Sequence, residues 1–129
     1  MGYKDVYDFH NKFDLIGARS PLLLDGPMFV FRDKFIKEET EEFRVAHEQE
    51  NLADAFDALI DLVYVIYGTA ILMGISPEVW AEGWRRVHEA NMKKIRVGSA
   101  DDSKRGHSFD VKKPVNWVAP KLDDLVKGE

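Results

Sequence analysis

Apolar residues recur at three- and four-residue intervals along the chain up to about residue 95, the spacing of helices with one buried face. The first stretch predicts a helix from near Lys4 to Ile16, with Val6, Phe9, Phe13 and Ile16 on one side. Ser-Pro and Asp-Gly-Pro turn signals interrupt the pattern between Ala18 and Pro27, where Leu22, Leu23 and Leu24 are expected to pack as a loop plug. A second helix is predicted from about Phe29 to Gln49. Asn51 is placed to cap a third helix that continues to Gly74, a C-terminal glycine. Ser76, Pro77 and Glu78 supply a cap, a first-turn proline and a first-turn acid for a fourth helix ending near Ile95. The expected fold is therefore all-α, a four-helix bundle-type body over about 4–95 within one domain spanning 1–129. From Arg96 to Glu129 the pattern dissolves into Gly, Ser, Asp and Lys with Pro114 and Pro120, a tail with room for short strand pieces. Its Phe109, Val115, Trp117 and Val118 are too apolar for a free linker, so the tail is expected to wrap the helical body or a second subunit.

The third helix departs from the amphipathic rule. Leu62 to Ile75 is fourteen residues with nothing more polar than tyrosine, threonine and glycine. That run falls short of the roughly 20 apolar residues a bilayer span needs. Asp54, Asp57 and Asp61 in its opening turns also argue against a membrane partner. A helix apolar on all sides must be buried on all sides, which predicts a homodimer or homotetramer with this helix at its centre. Gly68 is a candidate point of close helix approach.

Composition narrows the chemistry. The 129 residues carry 23 acidic against 18 basic side chains, a net charge of -5, so no general cationic surface is present to grip nucleic acid. Cysteine is absent, which leaves oxygen and imidazole as the available metal ligands. The opening MGYKDVYDFHNKF lacks the layout of a signal peptide, and a cytoplasmic location is expected.

The informative feature is where the acids fall on the helical wheel. Phe31, Phe35, Phe43 and Ala46 mark the apolar stripe of the second helix, with Glu39 and Glu42 inside it and Glu38 at its edge. Lys34, Lys37, Glu41, Arg44 and Glu48 make a solvated opposite face. On the third helix Asp54, Asp57 and Asp61 lie within an arc of about 60°. Asp54 has an ordinary role as a first-turn acid, but Asp61, two turns in, has none. Two inward-looking acidic patches repel and lose hydration unless a cation lies between them, and paired oxygen ligands from facing helices suit Mg²⁺ or Mn²⁺. On the fourth helix Trp80, Trp84, Val87 and Ile95 define the stripe, Asn91 lies in its middle, and His88 and Lys94 flank it. Asn91 and Lys94 suit either a bound phosphate or a helix cap and a side chain reaching to water.

Glu38-Glu39-x-x-Glu42 followed by an Asp-x-x-x-Asp helix reading DALIDLVYVIYGTA resembles the all-α nucleoside triphosphate pyrophosphohydrolases, a superfamily that includes MazG-like enzymes, dimeric dUTPases and phosphoribosyl-ATP pyrophosphohydrolase. DFHNKF, RDKFIKEETEEF and VHEANMKK are similar to the MazG-like or phosphoribosyl-ATP pyrophosphohydrolase-like branch, over residues 5 to about 95. The resemblance implies an oligomeric helical bundle that hydrolyses a nucleoside triphosphate to the monophosphate and pyrophosphate with Mg²⁺. Carried over by position, it makes Glu39, Glu42 and Asp61 metal ligands, Glu38 the acid that orients or deprotonates the attacking water, and Asn91 and Lys94 phosphate contacts. One departure stands out. The family's second element is commonly Glu-x-x-Asp, and its glutamate falls on Ala58, so Asp57 is the nearest substitute ligand and Asp54 the next. His10, from the family-like DFHNKF, and Tyr64, one turn beyond Asp61, are candidates for base or sugar contact.

Such a site would act on a substrate that brings about four negative charges to a carboxylate cluster, an encounter that divalent ions make favourable. Competing readings are a non-catalytic nucleotide- or metal-binding oligomer, favoured by the missing glutamate, and phosphoribosyl-ATP hydrolysis, which shares the chemistry. A di-iron bundle requires Glu-x-x-His pairs, and Arg44 and Arg85 occupy those positions before His47 and His88. No Gly-x-Ser-x-Gly is present.

Overall fold

The computed structural model describes residues 2–127. Helices dominate, as the periodicity predicts: α1 (Tyr3–Lys12), α2 (Gly26–Glu48), α3 (Leu52–Leu72), α4 (Pro77–Met92) and a short α5 (Asp123–Val126). A two-stranded antiparallel ribbon pairs β1 (Ile95–Arg96) with β2 (Val111–Lys112), with Ile95 opposite Lys112. The chain divides into two compact units, one reaching to Pro77 and taking in Val126, the other Glu78–Leu125. The last two residues of the predicted tail lie outside the described residues.

In the first unit α2 and α3 form an antiparallel hairpin, and α1 packs on α3. The caps follow from the sequence. Asp25 accepts from the Met28 amide at 2.8 Å, with Pro27 in the first turn, so α2 begins three residues earlier than its predicted start. Asn51 accepts from the Asp54 amide at 3.0 Å and opens α3. Gly74, at φ 80°, ends that segment in a conformation suited to glycine. Tyr3 donates its hydroxyl to the Ile75 carbonyl at 2.7 Å and sets its ring edge-on to Tyr67, which fixes α1 along the far half of α3.

Several expectations are corrected. The first helix ends at Lys12 rather than Ile16, and its buried face is Tyr3, Val6 and His10, leaving Phe13 and Ile16 exposed. His10 takes the Leu15 carbonyl, and the turn this closes halts the helix. Leu22 and Leu23 form no plug: Leu23 is 83% exposed. On α2 Phe31 is exposed and Arg32 occupies the inward position instead.

The third helix extends over 21 residues, and its most apolar window has a mean hydropathy of 1.7, so by length and composition alone it reaches membrane-spanning size, which the shorter apolar run did not suggest. Only 33% of its most apolar window is buried. Phe56, Leu59, Ile60, Val63 and Ile66 remain exposed on the single chain.

In the second unit α4 ends at Met92, and Ile95 enters the ribbon. Trp84, Val87 and Ile95 of the predicted stripe are exposed, as is Asn91, which was expected within it; Ala90 and Val97 are buried instead. The tail does return to the helix, because the Trp117 indole donates to the Ala90 carbonyl at 2.6 Å and Arg86 pairs with Asp124 at 2.7 Å. Phe109, Val115 and Val118 stay exposed.

Candidate metal centre

Near its middle the α2–α3 hairpin brings acids from both helices together. Glu39 sits in the inward row of α2 that also carries Arg32, Phe43 and Ala46. Asp61 sits in the inward row of α3 between Ala58 and Val65. One carboxylate oxygen each from Glu39, Glu42 and Asp61 lies within 4.8 Å of the others, a spacing that could hold a metal ion. Glu39 and Asp61 are half-buried, and Glu42 is exposed at the mouth.

The electrostatics of this group are unfavourable as it stands. Glu39 Oε2 is buried without a hydrogen-bond partner. Burial raises the Glu39 carboxyl above its ordinary pKa, and Glu42, Asp61 and Glu38 raise it further. Burial likewise raises Asp61, followed by the charges of Asp57 and Glu42. A buried carboxylate oxygen with no donor is costly, and a divalent cation is the partner that the surrounding acids suit. The residues therefore fit an oxygen-ligated metal ion.

Around the cluster the other sequence candidates take distinct positions. Glu38 is exposed and close enough to influence Glu39. Asp57 is exposed and outside the three-carboxylate group, but its charge reaches Asp61. Asp54 is taken up at the cap, where Asn51 Nδ2 donates to its Oδ2 at 2.9 Å. Ala58, where the family pattern has glutamate, is 4% exposed and faces inward beside Asp61. Glu42, Asp54, Asp57 and Ala58 border a groove of about 400 Å³ with Val45 and Ala46.

Tyr64 is partly exposed and meets Phe9 edge-on at 5.4 Å. His10, on α1, packs against α3 at Gly68, one turn beyond Tyr64; it is 4% exposed, with its Nδ1 donating to the Leu15 carbonyl at 2.8 Å. A Cβ on Gly68 would come within 2.7 Å of His10 Nε2 and 2.8 Å of Arg32 Nη2, so glycine is what admits both side chains. Asn91 and Lys94 belong to the second unit, where Lys94 Nζ stands 5.4 Å from the Trp117 ring centroid.

Arg32 was missed from the sequence. It is 7% exposed, and it donates from Nε to Thr69 Oγ1 at 3.1 Å and from Nη2 to the Val65 carbonyl at 2.9 Å. Its signal was present: Arg32 is seven residues, two helical turns, before Glu39 on the same face of α2. The cation ties α2 to α3 one to two turns beyond Asp61.

No curated protein sequence matches the chain. A family profile does: residues 6–91 match phosphoribosyl-ATP pyrophosphohydrolase. That span includes α2, α3 and all three clustered carboxylates, so the chain belongs to the phosphoribosyl-ATP pyrophosphohydrolase family, within the MazG-like all-α pyrophosphohydrolases.

Proposed function

We propose that this protein hydrolyses a nucleoside or deoxynucleoside triphosphate to the monophosphate and pyrophosphate, with Mg²⁺ held by Glu39, Glu42 and Asp61. Membership of the family supports pyrophosphohydrolase chemistry on a nucleotide-like substrate. The observation that carries the metal reading is the buried, donorless Oε2 of Glu39 within a three-carboxylate group. Divalent ions, when bound, neutralise phosphate oxygens and acidify water.

Each residue has a role suited to its setting. Glu39 and Asp61 anchor the centre from opposite helices, and Glu42 completes it from the mouth. Glu38, exposed beside them, accepts the proton of the attacking water. Asp57, on the rim of the adjoining groove, is an outer ligand in place of the glutamate missing at Ala58. Asn91 and Lys94 contact phosphate, as the family resemblance implies, and Lys94 offsets charge on the leaving pyrophosphate. Tyr64 and His10 lie toward the base and sugar, with His10 acting through packing because its ring is enclosed.

The exposed apolar side chains of α3 support a homodimer or homotetramer, and membership of the family supports a soluble protein, expected in the cytoplasm, whose partner is a small nucleotide rather than nucleic acid or membrane. A third of α3's most apolar window is already covered within one chain, and Asp61 inside the helix has a role that a bilayer would prevent. Phosphoribosyl-ATP is the second substrate reading, favoured by the family to which the chain belongs.

Pyrophosphate release is measured from a panel of ribo- and deoxynucleoside triphosphates and phosphoribosyl-ATP, with Mg²⁺, with Mn²⁺ and with chelator. Turnover requires the metal. Glu39→Gln and Asp61→Asn each lower kcat/KM by about 100-fold or more, the scale of several kcal/mol of lost transition-state stabilisation. Asp57→Asn costs less than about tenfold. Turnover in chelator, or unchanged rates in both of the first two variants, overturns the metal reading. Release from phosphoribosyl-ATP alone replaces the triphosphate reading with the second.

A further inference from the structure

The chain beyond the family match at 6–91 folds back on α4 and is fastened to it at two places. Arg86 grips the Asp124 carboxylate through Nη1 at 2.7 Å and Nη2 at 3.0 Å, and gives a further Nη1 bond to the Lys121 carbonyl at 2.9 Å. One turn further along α4, the Trp117 indole N–H donates to the Ala90 carbonyl at 2.6 Å. Ala90 belongs to the last turn of α4, where carbonyls run out of partners within the helix. Its oxygen also accepts the Lys93 amide at 3.2 Å, and the Asn91 carbonyl accepts the Lys94 amide at 3.1 Å, so the helix closes in a tightened turn. Trp117 thus caps the turn that carries Asn91 and Lys94.

The ring also touches one of those residues. Lys94 Nζ lies 5.4 Å from its centroid, an attractive cation–π contact, and Lys94 is half-buried where Lys93 is exposed. Lys113 Nζ meets the same ring at 4.9 Å, next to the turn in which the Trp117 amide donates to the Pro114 carbonyl at 3.0 Å. A lysine on a flexible four-carbon stem gives up rotamer freedom when it meets an anion. One already laid against an indole has lost part of that freedom beforehand, so less is lost on binding.

We infer that Trp117 is a positioning residue for the phosphate contact: it fixes the end of α4 and the Lys94 ammonium, and acts through Lys94. The inference rests on the role given to Lys94 above, and it gives the tail a part in the reaction that lies outside the matched span 6–91. A tail that only stabilised α4 would alter stability without any coupling to Lys94.

The test is a double-mutant cycle on the full chain, read by calorimetric titration with pyrophosphate in Mg²⁺. Lys94→Met weakens binding about tenfold, Trp117→Leu about fivefold, and the two together no more than Lys94→Met alone, because the indole acts through the lysine. Trp117→Phe, which keeps an aromatic face and loses the indole N–H, retains most of the affinity. Side-chain NMR supplies a readout that needs no ligand: the indole ring current shifts the Lys94 ε-methylene protons upfield, leaves those of Lys93 in place, and is lost in Trp117→Leu. The wild-type spectrum decides even where Trp117→Leu does not fold. No saturable binding by the wild type, or unchanged binding in Lys94→Met, removes the Lys94 assignment and this inference with it. Weakened binding in Lys94→Met with unchanged binding in Trp117→Leu, losses that add in the double variant, or an unshifted Lys94 resonance in the wild type overturns the role of Trp117 alone.

Discussion

Gly68 shows how a single absent side chain governs the first unit. His10 from α1 and Arg32 from α2 both reach the α3 backbone there, at distances a methyl group would violate. Neither neighbour is free to yield, because His10 is anchored to Leu15 and Arg32 to Val65 and Thr69. Gly68→Ala is expected to destabilise the protein by about 1–3 kcal/mol through overpacking, which outweighs its gain in helix propensity; denaturant unfolding measures it. Glu39 poses the opposite problem, a side chain that is present but unsatisfied. Its folded-state pKa is raised, so the native state binds more protons than the unfolded chain, and the metal-free protein loses stability as pH rises from the ordinary carboxylate range through the raised value. Asp61 acts in the same direction. In chelator, Glu39→Gln should therefore melt with the wild type near pH 4, the ordinary glutamate range, and above it at neutral pH. Equal melting curves across that range would show that Glu39 titrates normally. The position of Glu39 in the inward row was legible from its spacing with Phe35, Phe43 and Ala46; its orphaned oxygen depends on how α3 covers it and was not.

The α2–α3 hairpin brings the three carboxylates together because its register sets Glu39 near Asp61. Apolar packing alone specifies that register weakly here, since the facing positions include Ala46 and Ala58, small side chains with little shape. Arg32 adds directional bonds to Val65 and Thr69, and Thr69 Oγ1 in turn donates to the Val65 carbonyl at 2.8 Å. Arg32→Ala is expected to cost about 2–4 kcal/mol, from the lost bonds and the cavity together. It should also weaken Mn²⁺ binding at a centre it does not touch, while Arg32→Lys recovers part of the stability and less of the binding, because an ammonium cannot serve both acceptors in one plane. Thermal melts and metal titration on the same preparations separate the two effects. Metal affinity unchanged in a folded Arg32→Ala would remove the positioning role. Helix boundaries at Asn51 and Gly74 were readable because caps are local; the early end of α1 was not, because the His10–Leu15 contact overrides an apolar spacing that continues to Ile16.

Across the whole molecule the unresolved matter for a single chain is the apolar surface of α3. Phe56, at 65% exposed, with Leu59, Ile60, Val63 and Ile66, presents more apolar helix than a lone soluble chain usually leaves in water. Self-association through this face is expected, giving a dimer or tetramer by light scattering. Phe56→Lys combined with Ile60→Lys should shift it toward monomer, with little effect on the α1–α3 contact. A monomeric wild type at micromolar concentration would sink that reading. The sequence by itself determined the helices, the absence of thiol chemistry, the family resemblance and the acids on the inward faces of α2 and α3, because caps and periodicity act between residues a few positions apart. Only the tertiary structure decided that Asp57, the expected substitute ligand, stands outside the three converging carboxylates, that Ala58 is buried, that Arg32 is enclosed and that Asn91 is not. Those outcomes depend on the register and facing of segments far apart in the chain, where long-range packing selects among faces that local spacing leaves equivalent.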